Sequence, residues 1–128
     1  MKYKTTDQHF KKFSDYCRYW QRELGLDDWH LYLYHEAIKD SCATTTTDRR
    51  GRGASIGLNT TWHDREPNSI ELRMCALHEL MHVVTAPLYD EAKARFADEY
   101  TLDEAEHALV TRMTNAIMRL SDKSTASI

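Results

Sequence analysis

The chain has 128 residues, 41% of them hydrophobic, with a net charge of −3 and a pI near 6.1, which is the size and balance of one domain around one core, so residues 1–128 are read as a single domain. That balance argues against a protein devoted to nucleic acid, and nowhere do 18 uninterrupted apolar residues offer a membrane span. Three cysteines, Cys17, Cys42 and Cys75, make neither a disulfide framework nor a C-x-x-C metal pair, and Lys2, Lys4, Lys11 and Lys12 leave no apolar core for a secretory signal; a reducing, cytoplasmic setting is expected.

Phe10, Phe13, Cys17, Trp20 and Leu24 recur at spacings of three and four, the stripe of a packed helix. Thr5 with Gln8 predicts its start as a capping box, and Gly25 predicts its end. From Trp29 the period becomes two, with Trp29, Leu31 and Leu33 alternating with His30, Tyr32 and Tyr34. Two more β-prone runs, 43–47 and 54–61, flank the segment Asp48-Arg49-Arg50-Gly51-Arg52-Gly53. A small three-stranded, mainly antiparallel sheet with a basic hairpin tip is therefore expected. The arginines at that tip are read as a solvated turn, with nucleic-acid contact as the alternative.

Asn68 and Glu71, after Pro67, predict a second helix that runs to about Ala86-Pro87. Its centre is apolar except for His78, Glu79 and His82, which form the pentad His78-Glu79-Leu80-Met81-His82. An H-E-x-x-H pentad arises by chance in about one chain in 40 of this composition, so its setting has to decide what it means. On a helix the two histidines share one face and can hold one metal ion, with Glu79 beside it. Buried polar groups without partners cost about 1 to 3 kcal/mol each, and a metal ion would satisfy all three.

A catalytic zinc site takes three protein ligands, so a third donor is needed. Thr101 and Glu104 predict the start of a last helix that reaches about Leu120, with the stripe Leu102, Leu109, Val110, Met113, Ile117 and Leu120. Glu106 falls on that stripe and is the expected third ligand; His107, one position off it, and Asp103, one turn earlier, are the alternatives. Cys75, three residues before His78, could offer a thiolate but reads more simply as a small buried residue.

The segments Gly25-Leu26-Asp27-Asp28-Trp29, Ala54-Ser55-Ile56-Gly57-Leu58-Asn59, Ala76-Leu77-His78-Glu79-Leu80-Met81-His82 and Glu106-His107-Ala108-Leu109-Val110-Thr111-Arg112-Met113, in this order, give a chain that resembles small phage- and prophage-encoded zinc metallopeptidases, minimal zincins of the gluzincin type. The resemblance covers roughly residues 20 to 120, and a second acidic residue would be expected where His107 stands. It is similar, more distantly, to the SprT-like metalloproteases, some of which act on DNA-linked proteins, but lacks their added cysteine-rich zinc region. The resemblance implies an α+β zincin-like fold, one zinc ion per chain, and a host cytoplasm if the chain is phage-encoded.

The expected function is hydrolysis of peptide bonds in a peptide or protein substrate, with His78, His82 and Glu106 as zinc ligands and Glu79 as general base toward metal-activated water. Residues 54–59 are candidates to align an extended peptide, or else an internal core strand. Tyr89, Tyr100, His63 and His107 have the chemistry to stabilise an oxyanion, and nothing in the sequence selects among them. The competing readings are a zinc-stabilised phage protein-binding module without turnover and a nucleic-acid-associated SprT-like protein.

Overall fold

A computed structural model describes residues 2–95 and 98–126. Phe96 and Ala97, in the polar connection before the last helix, lie outside the described residues. The fold is α+β, in the order β1 (Tyr3–Lys4), α1 (Asp7–Glu23), β2 (His30–Glu36), β3 (Ala43–Asp48), β4 (Gly53–Asn59), β5 (Thr61–Trp62), α2 (Ser69–Lys93) and α3 (Glu99–Ala126). No helix among the described residues is long and apolar enough to cross a membrane.

The first helix begins one residue later than the Thr5 box suggests. Thr6 is the N-cap, accepting from the His9 amide, while His9 Nδ1 accepts from the Thr6 amide. Thr5 instead turns inward to bond the Asn59 carbonyl and His35, and its neighbours Tyr3 and Lys4 pair with β5. Gly25 follows the helix at φ 70°, the left-handed turn that glycine adopts without strain.

Three strands form the main sheet in the order β2-β4-β3. The expectation of a mainly antiparallel sheet is corrected: β3 and β4 form the antiparallel hairpin, but β2 runs parallel to β4, with His30 opposite Gly53 and Glu36 opposite Asn59. The alternation of side chains cannot distinguish the two pairings; the crossing loop between β2 and β3 decides it. Asn59, buried at the end of β4, ties that loop down through all its amide capacity. Its Oδ1 accepts from the Ile38 and Thr61 amides at 3.1 and 3.2 Å, and its Nδ2 donates to the Ile38 and Ser41 carbonyls at 2.7 and 2.8 Å.

Register then sorts the faces. Leu31, Ala54 and Thr47 stand in one row, and Leu33, Ile56 and Thr45 in the next, so these side chains share the sheet face that packs on α2. The core there is Phe13, Cys17 and Trp20 from α1 with Leu72, Leu77, Leu80 and Met81 from α2. On the opposite face the Tyr34 ring covers Gly57 so closely that a Cβ would lie 2.3 Å from it. Any larger residue there would have to displace the Tyr34 ring.

Asn68 caps α2 as expected, accepting from the Glu71 amide at 2.9 Å. The expected stop at Pro87 is corrected: α2 continues to Lys93 with the proline inside it. Pro87 is exposed, so its ring meets no packed layer and solvent can replace the backbone bond it removes. The last helix likewise begins before Thr101, where Asp98 accepts from the Tyr100 amide at 3.0 Å and its carbonyl from the Leu102 amide at 2.9 Å. Its buried seam is Val110, Thr114 and Met118, while Leu109 and Leu120 of the expected stripe are 42% and 65% exposed. The helix is thus turned so that Glu106 and His107 both meet α2.

Candidate metal centre

The H-E-x-x-H pentad lies on α2 where the helix passes between the sheet and α3. His78 and His82, four residues apart, project from one face, and His107 arrives from α3 to meet them. One nitrogen from each ring lies within 4.8 Å of the others. The ring centres of His78 and His107 are 4.9 Å apart, and those of His78 and His82 are 5.1 Å apart.

Three imidazoles drawn together make a donor set suited to a divalent cation such as zinc. Burial pushes the His78 imidazole down to about 4, and the neighbouring His82 and His107 rings push the same way. At neutral pH His78 is therefore uncharged, with a lone pair on one ring nitrogen available to a metal. On this count the residues fit a zinc ion.

Glu106, the expected third ligand, has a different place. It is beside the centre, but it stands behind His82: its Oε2 is 2.8 Å from His82 Nδ1 and 2.5 Å from the Thr85 hydroxyl. His107, read from the sequence as the alternative, is the residue that joins the two pentad histidines. Consecutive residues on a helix point about 100° apart, so once α3 is turned with Val110 and Thr114 in its seam, position 106 meets His82 Nδ1 and Thr85 while position 107 meets the rings of His78 and His82. Asp103 is engaged by the Tyr89 hydroxyl instead. Cys75 is buried, and its thiol is pushed well up by burial and by the nearby Glu79 charge, so it behaves as packing.

Glu79 is 5% exposed and sits beside the histidines, lining the same cleft. Burial raises its carboxyl above the ordinary value, and a hydrogen bond from Thr45 opposes that rise. Thr45 Oγ1 donates to Glu79 Oε1 at 2.6 Å, and Oε2 has no hydrogen bond among the described residues. A carboxylate held at one oxygen, open at the other and raised toward neutrality is suited to accept a proton.

The cleft has a volume of about 1040 Å³. One wall is the edge strand β3, through Ala43, Thr44 and Thr45, and the opposite wall is α3, through His107, Thr111 and Asn115. At its far end Arg65 lies over the Trp62 ring and pairs with Glu71 at 2.8 Å and Asp64 at 3.0 Å. Of the four candidates for oxyanion stabilisation, His63 and His107 line this cleft, whereas Tyr100 is exposed on α3 and Tyr89 is held by Asp103.

Residues 54–59 cannot present an edge to a peptide, because β4 is paired on both sides. The edges of this sheet are β2 and β3, and the one whose residues line the cleft is β3, which sequence reasoning treated only as a β-prone run. Thr45 and Thr85 were also missed. A signal for Thr85 existed, since a residue three after His82 shares its helix face; none existed for Thr45, whose role depends on strand register. No family model, no curated protein and no solved structure matches this chain, so the functional reading rests on the site.

Proposed function

We propose that the protein is a zinc-dependent metallopeptidase of minimal zincin type, hydrolysing peptide bonds in a peptide or protein substrate. The observation that carries this reading is the meeting of His78, His82 and His107 with the buried, singly held Glu79 in one cleft. Zinc, when bound, supplies Lewis-acid activation of water and of a carbonyl oxygen. Glu79 takes up the proton released from the attacking water, through the oxygen that Thr45 does not hold, and returns it to the leaving amine.

The edge of β3 supports the substrate class. Its outer side has no strand partner among the described residues, and Ala43 to Thr45 lie along the cleft wall, so an extended peptide can add there as a further strand. A site that only stabilised a binding module would be closed by a fourth protein ligand and would have no use for a buried acid beside it. The nucleic-acid reading finds less support, because Arg49 pairs with Glu91 at 2.8 Å and Arg52 with Asp28 at 2.5 Å, which neutralises much of the hairpin tip.

The test is metal analysis of the purified chain together with cleavage of an unfolded protein, run beside Glu79→Gln. One zinc per chain, with cleavage in the parent and none in the variant, is expected. A variant that cleaves as fast as the parent removes Glu79 as the base, and zinc without any cleavage favours the binding module.

A further inference from the structure

Thr85 follows His82 by three residues, so both side chains leave α2 on the side that α3 packs against. Glu106 enters the gap between them from α3, with a side chain only 15% exposed. A carboxylate accepts hydrogen bonds and donates none, so the proton between Glu106 Oε2 and His82 Nδ1 belongs to the imidazole. The free lone pair of His82 is then on Nε2. The Thr85 hydroxyl has one proton and two acceptors in reach, Glu106 Oε2 at 2.5 Å and the His82 carbonyl at 3.3 Å; the shorter contact is the bond.

We infer that Thr85 and Glu106 are positioning residues for the metal centre: Thr85 holds the Glu106 carboxylate, and Glu106 fixes the tautomer and ring plane of His82, without either residue touching the metal. This rests on the reading of the three histidines as a zinc site. The arrangement joins the two helices that supply the ligands, so the aim of His82 is set from α3 although the ring belongs to α2. Partners of this kind, one bond removed from the ion, alter metal affinity by about 10- to 100-fold when lost.

The experiment is zinc binding to the full chain, measured by competition with a chromophoric chelator at neutral pH, with the fold of each metal-free variant checked by circular dichroism. Glu106→Ala is expected to weaken binding by about 10- to 100-fold, Thr85→Val by a smaller factor, and Thr85→Ser not at all. Because Thr85 acts through Glu106, Thr85→Val should add nothing in the Glu106→Ala background. If Thr85→Val folds poorly, the ratio of Thr85→Ala to Thr85→Ser gives the same comparison. Cobalt substitution separates positioning from ligation: Glu106→Ala should keep the absorption intensity set by the parent's number of ligands, with only small band shifts as the His82 ring is freed, whereas His107→Ala should change the intensity. Parental zinc affinity in Glu106→Ala, additive losses in the double variant, or a change in cobalt absorption intensity in Glu106→Ala as large as that in His107→Ala would each overturn the inference while leaving a zinc site in place. A parent chain that binds no zinc would overturn the metal reading itself, and this inference with it.

Discussion

Thr45 and Glu79 are joined across the boundary between sheet and helix: the hydroxyl on the edge strand donates to Oε1 of the acid on α2 at 2.6 Å. The register that sets Thr45 opposite Ile56 turns its side chain toward α2, and the pentad sets Glu79 beside the histidines. The strand proposed to receive substrate therefore also steadies the proposed base. Thr45→Val should leave a buried carboxylate without its donor and destabilise the chain by about 1 to 3 kcal/mol. It should also raise the Glu79 carboxyl further, moving the acidic limb of the pH–rate profile to higher pH, while Thr45→Ser stays close to the parent. Urea titrations and pH–rate profiles of the two variants check this; identical acidic limbs in Thr45→Val and parent would separate Thr45 from the base.

Glu79 and His78 pull stability in opposite directions with pH. The Glu79 carboxyl is raised above its ordinary 4.5 in the folded chain, chiefly by burial, so the unfolded chain ionises first and stability is lost as pH rises through and above that value. His78 is lowered from 6.5 to about 4, again chiefly by burial, so the unfolded chain takes up the proton first and stability is lost as pH falls from about 6.5 to about 4. Glu79→Gln removes only the first effect. In the metal-free state at pH 7 it should melt at a higher temperature than the parent, although it lacks the proposed base, and the gap should close as the pH approaches 4.5. Calorimetric melting across that range measures the gap; a variant less stable than the parent at pH 7 would contradict the burial argument.

Asn59 has a structural task that bears on the cleft. Three of its side-chain hydrogen bonds hold the 37–42 loop and a fourth holds the Thr61 amide, and Asp40, Ser41 and Cys42 of that loop line the cleft beside β3. Asn59→Ala would strand several backbone groups at once, each worth about 1 kcal/mol or more, so a loss of about 3 kcal/mol or greater is expected. Asn59→Asp keeps the two accepted bonds but sets a carboxylate against the Ile38 and Ser41 carbonyls, and should be nearly as damaging. Chemical denaturation of both variants decides between this account and a merely space-filling Asn59, which would tolerate the near-isosteric aspartate.

What was legible in the sequence followed local periodicity and capping. The α1 stripe, the alternating β2, the Asn68 cap and the pentad all depend on residues within one or two turns of one another. The parallel pairing of β2 with β4 was not legible, because it depends on a loop fastened by a single asparagine 18 and more residues away. The third histidine was half legible. Glu106 is the third ligand the sequence favours and His107 an alternative to it, but their roles depend on how α3 is turned, and Thr114 and Met118, not Leu109 and Leu120, set that turn. A polar threonine and a flexible methionine in the seam are weaker sequence signals than two leucines on the surface.

Metal removal should act on α3 before anything else. That helix packs substantially against α2 alone, and its buried seam is short: Val110, Thr114 and Met118, with Met113 and Ile117 partly covered. A zinc ion held by His78 and His82 on α2 and by His107 on α3 would cross-link the two helices near the start of that seam. Its residues join the core cluster by way of α2, whereas α2 also packs against α1 and β3. Chelation should therefore raise amide exchange along residues 99–120 while α1, β4 and the first half of α2 keep their protection, since metal binding and local folding are linked and segments with few buried contacts open first. Hydrogen exchange with zinc and with chelator compares the two states. His107→Ala, which removes only the α3 ligand, should show the chelated pattern even with zinc present, and equal protection of α3 in all three samples would mean that the helix docks without the metal.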